Sequence, residues 1–239
     1  MDERAVAVAT MTWARDEAEA ELLRESLPLL AGLGLPVFVT DGGSGAAFID
    51  FLHTLPNFQV CDPPRRGPWE QVRQSLAAAE AAGRAFVLYT EPDKSDFFRR
   101  VLRDFISEAP GGEDVGVVLA SRSAESFETF PEFQRRTEEA INLCCAELVG
   151  AHGDFSYGPF LLNRALVNNV RSGPHGLGWG WRPYAFGTAH RLGYRVESVV
   201  RDLPCPPAQR EDSPRERLYR MRQLAQSVEG LLQSVSQNA

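Results

Sequence analysis

The stretch "VLYTEPDKSDFF", residues 87–98, leaves an apolar run and then sets down Glu91, Asp93 and Lys94 within four residues. Two carboxylates one residue apart suit a hard divalent cation whose remaining ligands are phosphate oxygens. The same residues also suit the polar start of a helix, where acidic groups meet the positive end of the helix dipole. Other apolar runs end in comparable groups. "AVAVATM" is followed by Thr12, Trp13, Arg15, Asp16 and Glu17, and "PVFVT" by "DGGSG", with Asp41 and Ser44. "FQVC" is followed by "DPPRRG", with Asp62, Arg65 and Arg66, and "VGVVLA" by "SRS", with Arg122. A ligand with an anionic part and a hydrogen-bonding part would satisfy such a set.

These residues need elements to hold them. Between the apolar runs of residues 5–120 lie "DEAEAELLRESLPLLAGLG", "AAFIDFLHTL", "PWEQVRQSLAAAEAAG" and "SDFFRRVLRDFISEA". Strands rich in Val and Phe separated by amphipathic helices are the pattern of βαβ units, so the reading is α/β with a mostly parallel sheet flanked by helices. Ligands of such sheets bind at the carboxyl ends of the strands, where the polar groups fall. Beyond residue 120 the pattern changes. "SRSAESFETFPEFQ" reads as a long polar and aromatic loop, followed by a helix over Glu132–Val149. "HGDFSYGPFLLNRALVNNV" reads as a turn, a short apolar run and a helix, and a Gly/Trp loop then enters another helix before a last strand, "RVESVV". "CPPAQREDSP" is a linker, and "SPRE" at Ser213–Glu216 fits a capping box. The helix it opens carries Leu218, Met221, Leu224, Val228, Leu231 and Val235 on one stripe, expected to dock on the body or across a homodimer interface.

The formal charge of −7 argues against a general nucleic-acid binder, which needs a basic face to displace counterions. No stretch approaches the roughly 20 apolar residues of a membrane span, and the apolar N-terminal run is too short for a signal-peptide core. Cys61, Cys144, Cys145 and Cys205 form no CxxC pair, so neither a zinc site nor a disulfide scaffold is indicated. A reduced, cytoplasmic protein is the expectation.

Two nucleotide readings compete. "VFVTDGGSGAAFIDFLHTLPNFQVCD" runs strand, Gly-rich turn, helix, strand and Asp62, loosely as in an NAD-type dinucleotide fold. Gly42, Gly43 and Gly45 do not make GxGxxG, however, and Asp41 would face the pyrophosphate. The second reading rests on order. "TWARDEAEAELLRESL", "VFVTDGGSG", "RRGPWEQVRQSLAAAEAAGRAFVLYTEPD" and "RRTEEAINL" follow one another along the chain. This resembles the GT-A glycosyltransferases, most of all the retaining branch that makes glucosyl-3-phosphoglycerate and mannosylglycerate. The resemblance covers most of residues 5–205.

It implies a GT-A-like domain over 1–205, with a nucleotide-binding half at 1–120 and an acceptor half at 121–205, and a linker and C-terminal helix at 206–239. It implies transfer of a sugar from a nucleoside-diphosphate sugar to a small anionic acceptor, with retention. Thr12, Asp16, Glu17, Asp41 and Ser44 would lie along the nucleotide, Arg66 would meet the diphosphate, and Glu91 and Asp93 would stand in for the family's D-x-D and hold Mg²⁺ or Mn²⁺. Arg135 and Thr137 would grip the acceptor beside Tyr157 and Gly158 of "SYGPFLLNR". No residue stands out as a general base; Lys94 would supply stabilising charge. The chain departs from the family in three places. E-P-D replaces D-x-D, Pro159 stands where relatives carry an acidic residue, and "RDLPCPPAQR" lacks their metal-binding histidine, for which His175 is the nearby substitute. These departures keep open a binding protein that has lost catalysis, alongside the dinucleotide-dependent oxidoreductase.

Overall fold

The structure, a computed structural model, describes residues 1–236 apart from Pro64 and Glu211. Pro64 of the "DPPRRG" exit, and Glu211 and residues 237–239 of the predicted terminal segment, lie outside the described residues. In chain order the elements are Val6–Thr12 (β1), Glu17–Ala31 (α1), Val37–Asp41 (β2), Ala46–Thr54 (α2), Phe58–Val60 (β3), Pro68–Ala81 (α3) and Phe86–Tyr89 (β4). A π-helical turn, Phe97–Val101, then runs into Leu102–Glu108 (α4). Val115–Arg122 (β5), Ala124–Glu128 (α5), Glu132–Val149 (α6), Phe160–Asn163 (β6), Arg164–Arg171 (α7), Trp181–Arg191 (α8), Arg195–Arg201 (β7) and Pro214–Ser236 (α9) follow. The fold is α/β, mostly parallel, with a C-terminal helix, as the patterning implied.

Contacts divide the chain into two compact units, Met1–Ala109 with Pro159–Gly176, and Pro110–Gly158 with Leu177–Ala239. This division differs from the expected halves. β5 goes with the second unit, β6 and α7 return to the first, and the 206–239 segment is part of the second unit instead of a separate extension.

In the first unit the strands lie in the order β3-β2-β1-β4-β6. β1 runs parallel to β2 and β4, β2 parallel to β3, and β6 antiparallel to β4. All seven residues of β1 are buried, which is why its sequence, broken only by Thr10 and Thr12, is mostly apolar and not an alternation. The antiparallel β6 packs Phe160 against Tyr89, ring centroids 5.6 Å apart. Because the chain turns from β1 to β2 on one side and reaches β4 on the other, the β1/β4 boundary is a topological switch point. In open α/β sheets this is where ligands bind.

In the second unit β5 and β7 pair in parallel, and α6, α8 and α9 pack together. The segment read as a loop, "SRSAESFETFPEFQ", holds the short helix α5, started by Ser123, whose side chain accepts from the Ser126 amide. α6 spans the expected Glu132–Val149.

α9 begins as expected, with Ser213 accepting from the Glu216 amide at 3.3 Å. Its buried face is not the expected one. Of the predicted stripe Leu231 is buried, while Leu218, Met221 and Val235 are 55, 48 and 41% exposed. Ser227, Gly230, Leu231 and Ser234 face inward instead. The reason is close backbone approach: a Cβ on Gly230 would sit 2.0 Å from the Gly180 carbonyl oxygen. A large side chain on that face would hold the helix off, so small residues make the contact.

Candidate functional site

The exits of β1 and β2 are tied together by one carboxylate. Asp41, 2% exposed, accepts through Oδ1 from the Gly43 and Ser44 amides at 2.7 and 2.6 Å, and through Oδ2 from the Thr12 and Ser44 hydroxyls at 2.9 and 2.7 Å. Four donors leave little of the carboxylate unsatisfied. Ser44 Oγ in turn accepts from the Ala14 amide at 2.8 Å, and Gly42 N donates to Thr12 O at 2.8 Å. Beneath them Gln71 of α3, 3% exposed, donates to the carbonyls of Thr12 and Thr40 at 2.8 and 3.2 Å. The two strand ends are therefore clamped into one rigid rim.

Side chains of a different kind stand on that rim. Trp13 is 43% exposed and lies against Gly42, where an added Cβ would meet the indole at 2.8 Å. The loop after β3 closes in through Arg65 N, which donates to Asp41 O at 3.0 Å. This brings the exposed Arg66 guanidinium to 3.9 Å from where a Cβ on Gly43 would be. Among the described residues no carboxylate pairs with Arg66. A half-exposed aromatic, a bare Gly-Gly turn and a cation above it form a surface suited to a flat ring and a phosphate.

On the far side of β1, the exit of β4 is held by Thr10, whose hydroxyl donates to Thr90 O at 2.8 Å, and by Ser26 of α1, which donates to Pro92 O at 2.6 Å. Glu91 is buried, with the Tyr89 hydroxyl 3.4 Å from its Oε1, and Asp93 and Lys94 are half-buried. The π-helical turn follows within a few residues, a distortion that often accompanies functional sites.

Three of the expected residues are placed otherwise. Asp16 caps α1, its carboxylate accepting from the Glu19 amide at 2.9 Å, and Glu17 pairs with Arg24. His175 is 80% exposed and meets Glu70 at 3.0 Å and Arg73 at 2.9 Å, both on α3. Among the described residues no three His, Cys, Asp or Glu side chains are grouped to hold a metal, so His175 does not complete a set with Glu91 and Asp93.

In the second unit, Arg135 and Thr137 lie two residues apart on α6, and such residues do not face each other. Thr137 is buried, its hydroxyl donating to Gln134 O at 2.8 Å and Phe133 O at 3.2 Å. Arg135 donates to Phe130 O at 3.1 Å and pairs with Glu128. Tyr157 stacks toward Arg122, and Gly158 has φ 127°, a conformation suited to glycine.

Arg122 is the centre of a network that the sequence did not reveal. Its guanidinium, 1% exposed, reaches Asp154 at 2.5 Å, Glu138 at 2.7 Å and Ser156 at 3.0 Å. The rings of Phe127, Phe130 and Tyr157 surround it at 4.6, 4.4 and 5.5 Å. Burial pulls the guanidinium pKa down, but the attraction of Glu138 and Asp154 outweighs it and holds it above the ordinary value. Burial raises the Asp154 pKa, and the Arg122 charge and hydrogen bonds outweigh that, holding it below the usual carboxylate range. A depressed carboxylate contributes stability above its unfolded pKa of about 4 and loses it as pH falls through the folded value. Melting temperature is therefore expected to fall more steeply below about pH 4 in the native chain than in Asp154→Asn. Equal slopes would show that Asp154 is not the acid-sensitive group.

Trp13 was visible as a strand-end residue, and Gln71 is the site residue that sequence reading passed over. Gln71 had one visible signal, a polar residue on the buried face of an amphipathic helix.

No family model and no curated protein matches the chain. Solved structures do. Glucosyl-3-phosphoglycerate synthase from Mycobacterium tuberculosis with Mn²⁺, UDP-glucose and phosphoglyceric acid superposes with a TM-score of 0.67 at 18% identity, over 97% of this chain and 79% of that one. The same synthase with Mn²⁺, UDP and glucosyl-3-phosphoglycerate gives 0.65 at 19%, over 97 and 80%. With Mg²⁺ and UDP it gives 0.61 at 18%, over 97 and 79%. The chain has the GT-A fold of these synthases.

Proposed function

We propose that the chain is a glycosyltransferase that takes a sugar from a nucleoside-diphosphate sugar and passes it, with retention, to a small anionic acceptor. The observation that carries the reading is the rim at the switch point, with Trp13, the Gly42–Gly43 turn and Arg66 on one side of β1 and Glu91 and Asp93 on the other. Similarity to synthases solved with UDP-glucose and phosphoglyceric acid supports it. The four cysteines are free, which fits a reducing, cytoplasmic setting.

Trp13 stacks on the base, Arg66 donates to the diphosphate, and the clamped Asp41 and Ser44 hold the rim in shape. In the transfer the bond from the anomeric carbon to the β-phosphate oxygen breaks and a bond to the acceptor oxygen forms. The acceptor proton passes to the departing phosphate oxygen, so no protein base is needed. Arg135 is the acceptor-side cation in this reading, as the resemblance implies. Glu91 and Asp93 are too few to cage a metal alone but suit Mg²⁺ or Mn²⁺ that takes its other ligands from phosphate, which is the usual Mg²⁺ arrangement. When bound, such an ion neutralises charge on the leaving diphosphate. Lys94 lies beside the pair and adds positive charge there.

The dinucleotide reading is disfavoured by the turn between β2 and α2. In that reading the pyrophosphate would sit at this Gly-rich turn, and there the Gly43 and Ser44 amides already donate to the protein's own Asp41.

Calorimetric titration with UDP, GDP and ADP, with and without Mn²⁺, tests the proposal. At least one diphosphate should bind, more tightly with Mn²⁺, and Asp93→Ala should remove the Mn²⁺ effect. Arg66→Ala should weaken that diphosphate by roughly tenfold and the corresponding nucleoside far less. Asp41→Ala is a poorer probe, because it removes the acceptor of four structural hydrogen bonds. Binding of none of the three, or an Arg66→Ala protein with native affinity, would overturn the assignment. Binding without transfer to any phosphorylated or carboxylated acceptor would instead support the catalytically inactive alternative.

A further inference from the structure

The outward face of α9 carries a second pattern, distinct from the face that packs on the second unit. Leu218, Met221, Ala225, Val228, Leu232 and Val235 follow one another at alternating steps of three and four, the spacing of a coiled-coil seam. Leu218, Met221, Leu232 and Val235 are 55, 48, 54 and 41% exposed; Ala225 is exposed and Val228 half-buried. The buried face, Ser227, Gly230, Leu231 and Ser234, lies opposite this seam around the helix, so docking on the body leaves the seam turned outward.

We propose that a second copy of this chain covers the seam, with the two α9 helices antiparallel about a two-fold axis. The residues are palindromic in a way that fits this arrangement. In an antiparallel pair Leu218 meets Val235 of the second copy, Met221 meets Leu232, and Ala225 meets Val228, so every layer is filled and each contact occurs twice. The charges agree. The exposed residues flanking the seam on one side are Arg222 and Glu229, and the antiparallel register sets each Arg222 against the other copy's Glu229. A parallel pair would set Arg217 against Arg222, like charge against like, and Leu224 against Glu229. Because α9 is already fixed on the body, pairing does not pay for ordering a helix.

Sedimentation equilibrium of the full chain from about 1 to 200 µM tests this, and a reversible monomer–dimer equilibrium is expected in that range. Leu232→Glu, at an exposed position, should give a monomer with an unchanged melting temperature. Arg222→Glu and Glu229→Arg should each weaken the dimer by about tenfold or more, since two attractive pairs become two repulsive ones. An equimolar mixture of these two variants should form a mixed dimer of native strength, because the antiparallel register pairs acid with base at both positions. A native chain that stays monomeric throughout would overturn the proposal. So would a Leu232→Glu protein that still dimerises, or an Arg222→Glu variant that dimerises more tightly, which is the signature of parallel pairing.

Discussion

Arg122→Ala is expected to destabilise the unit of residues 110–158 and 177–239 by about 3–5 kcal/mol, the range for removing one partner of a buried ion pair. The large effect comes from what is left behind. Asp154 and Glu138 would remain as two buried carboxylates with the shared cation gone, and Ser156 would lose an acceptor-facing donor. The space between Phe127, Phe130 and Tyr157 would also open. Arg122→Lys keeps the charge but not the fork that reaches Asp154 and Glu138 together, so it should recover only part of the loss. Chemical denaturation of the three proteins measures the series. A loss within about 1 kcal/mol for alanine would mean that the network is solvated in solution and worth no more than a surface pair.

Gly230→Ala is the second large effect. The added methyl would sit 2.0 Å from the Gly180 carbonyl oxygen and 2.9 Å from its Cα, both backbone atoms that no rotamer change can move. α9 must therefore shift away from the 178–180 turn, at the 1–3 kcal/mol or more typical of overpacking. The change also raises helix propensity at a mid-helix position by about 1 kcal/mol, so a net loss shows that contact outweighs propensity. Gly111→Ala, where no atom lies within 4 Å of the new methyl, is the control and should move stability by no more than about 0.5 kcal/mol. If Gly230→Ala matched the control in thermal melting, the close approach of α9 to the Gly180 turn would be refuted.

Much of the first unit was legible beforehand because its signals are local. β1, β2 and β4 are buried on both faces and so read as largely apolar runs without alternation, and α1 and α3 lie between them with the helical period. Their carboxyl ends carry the residues that chemistry would select. The placement of Trp13, Asp41, Arg66, Glu91 and Asp93 along one edge therefore follows from order along the chain plus the geometry of parallel strands.

What the tertiary structure decided was which of those polar groups are spent inside the protein and which stand outward. Asp41 and Arg66 look alike in sequence as polar strand-end residues, yet one accepts four internal hydrogen bonds and the other stands above a glycine turn. Asp16 and Thr137 likewise turned out to serve their own helices. The Arg122 network joins residues up to 34 positions apart, and the face chosen by α9 depends on Gly180, fifty positions before Gly230. Periodicity records the apolar residues of a helix but not which of two faces finds a backbone close enough to exclude side chains. On α9 the apolar residues and the buried residues are largely different sets, because close contact with the body selects for small size and leaves the larger hydrophobic groups on the outside.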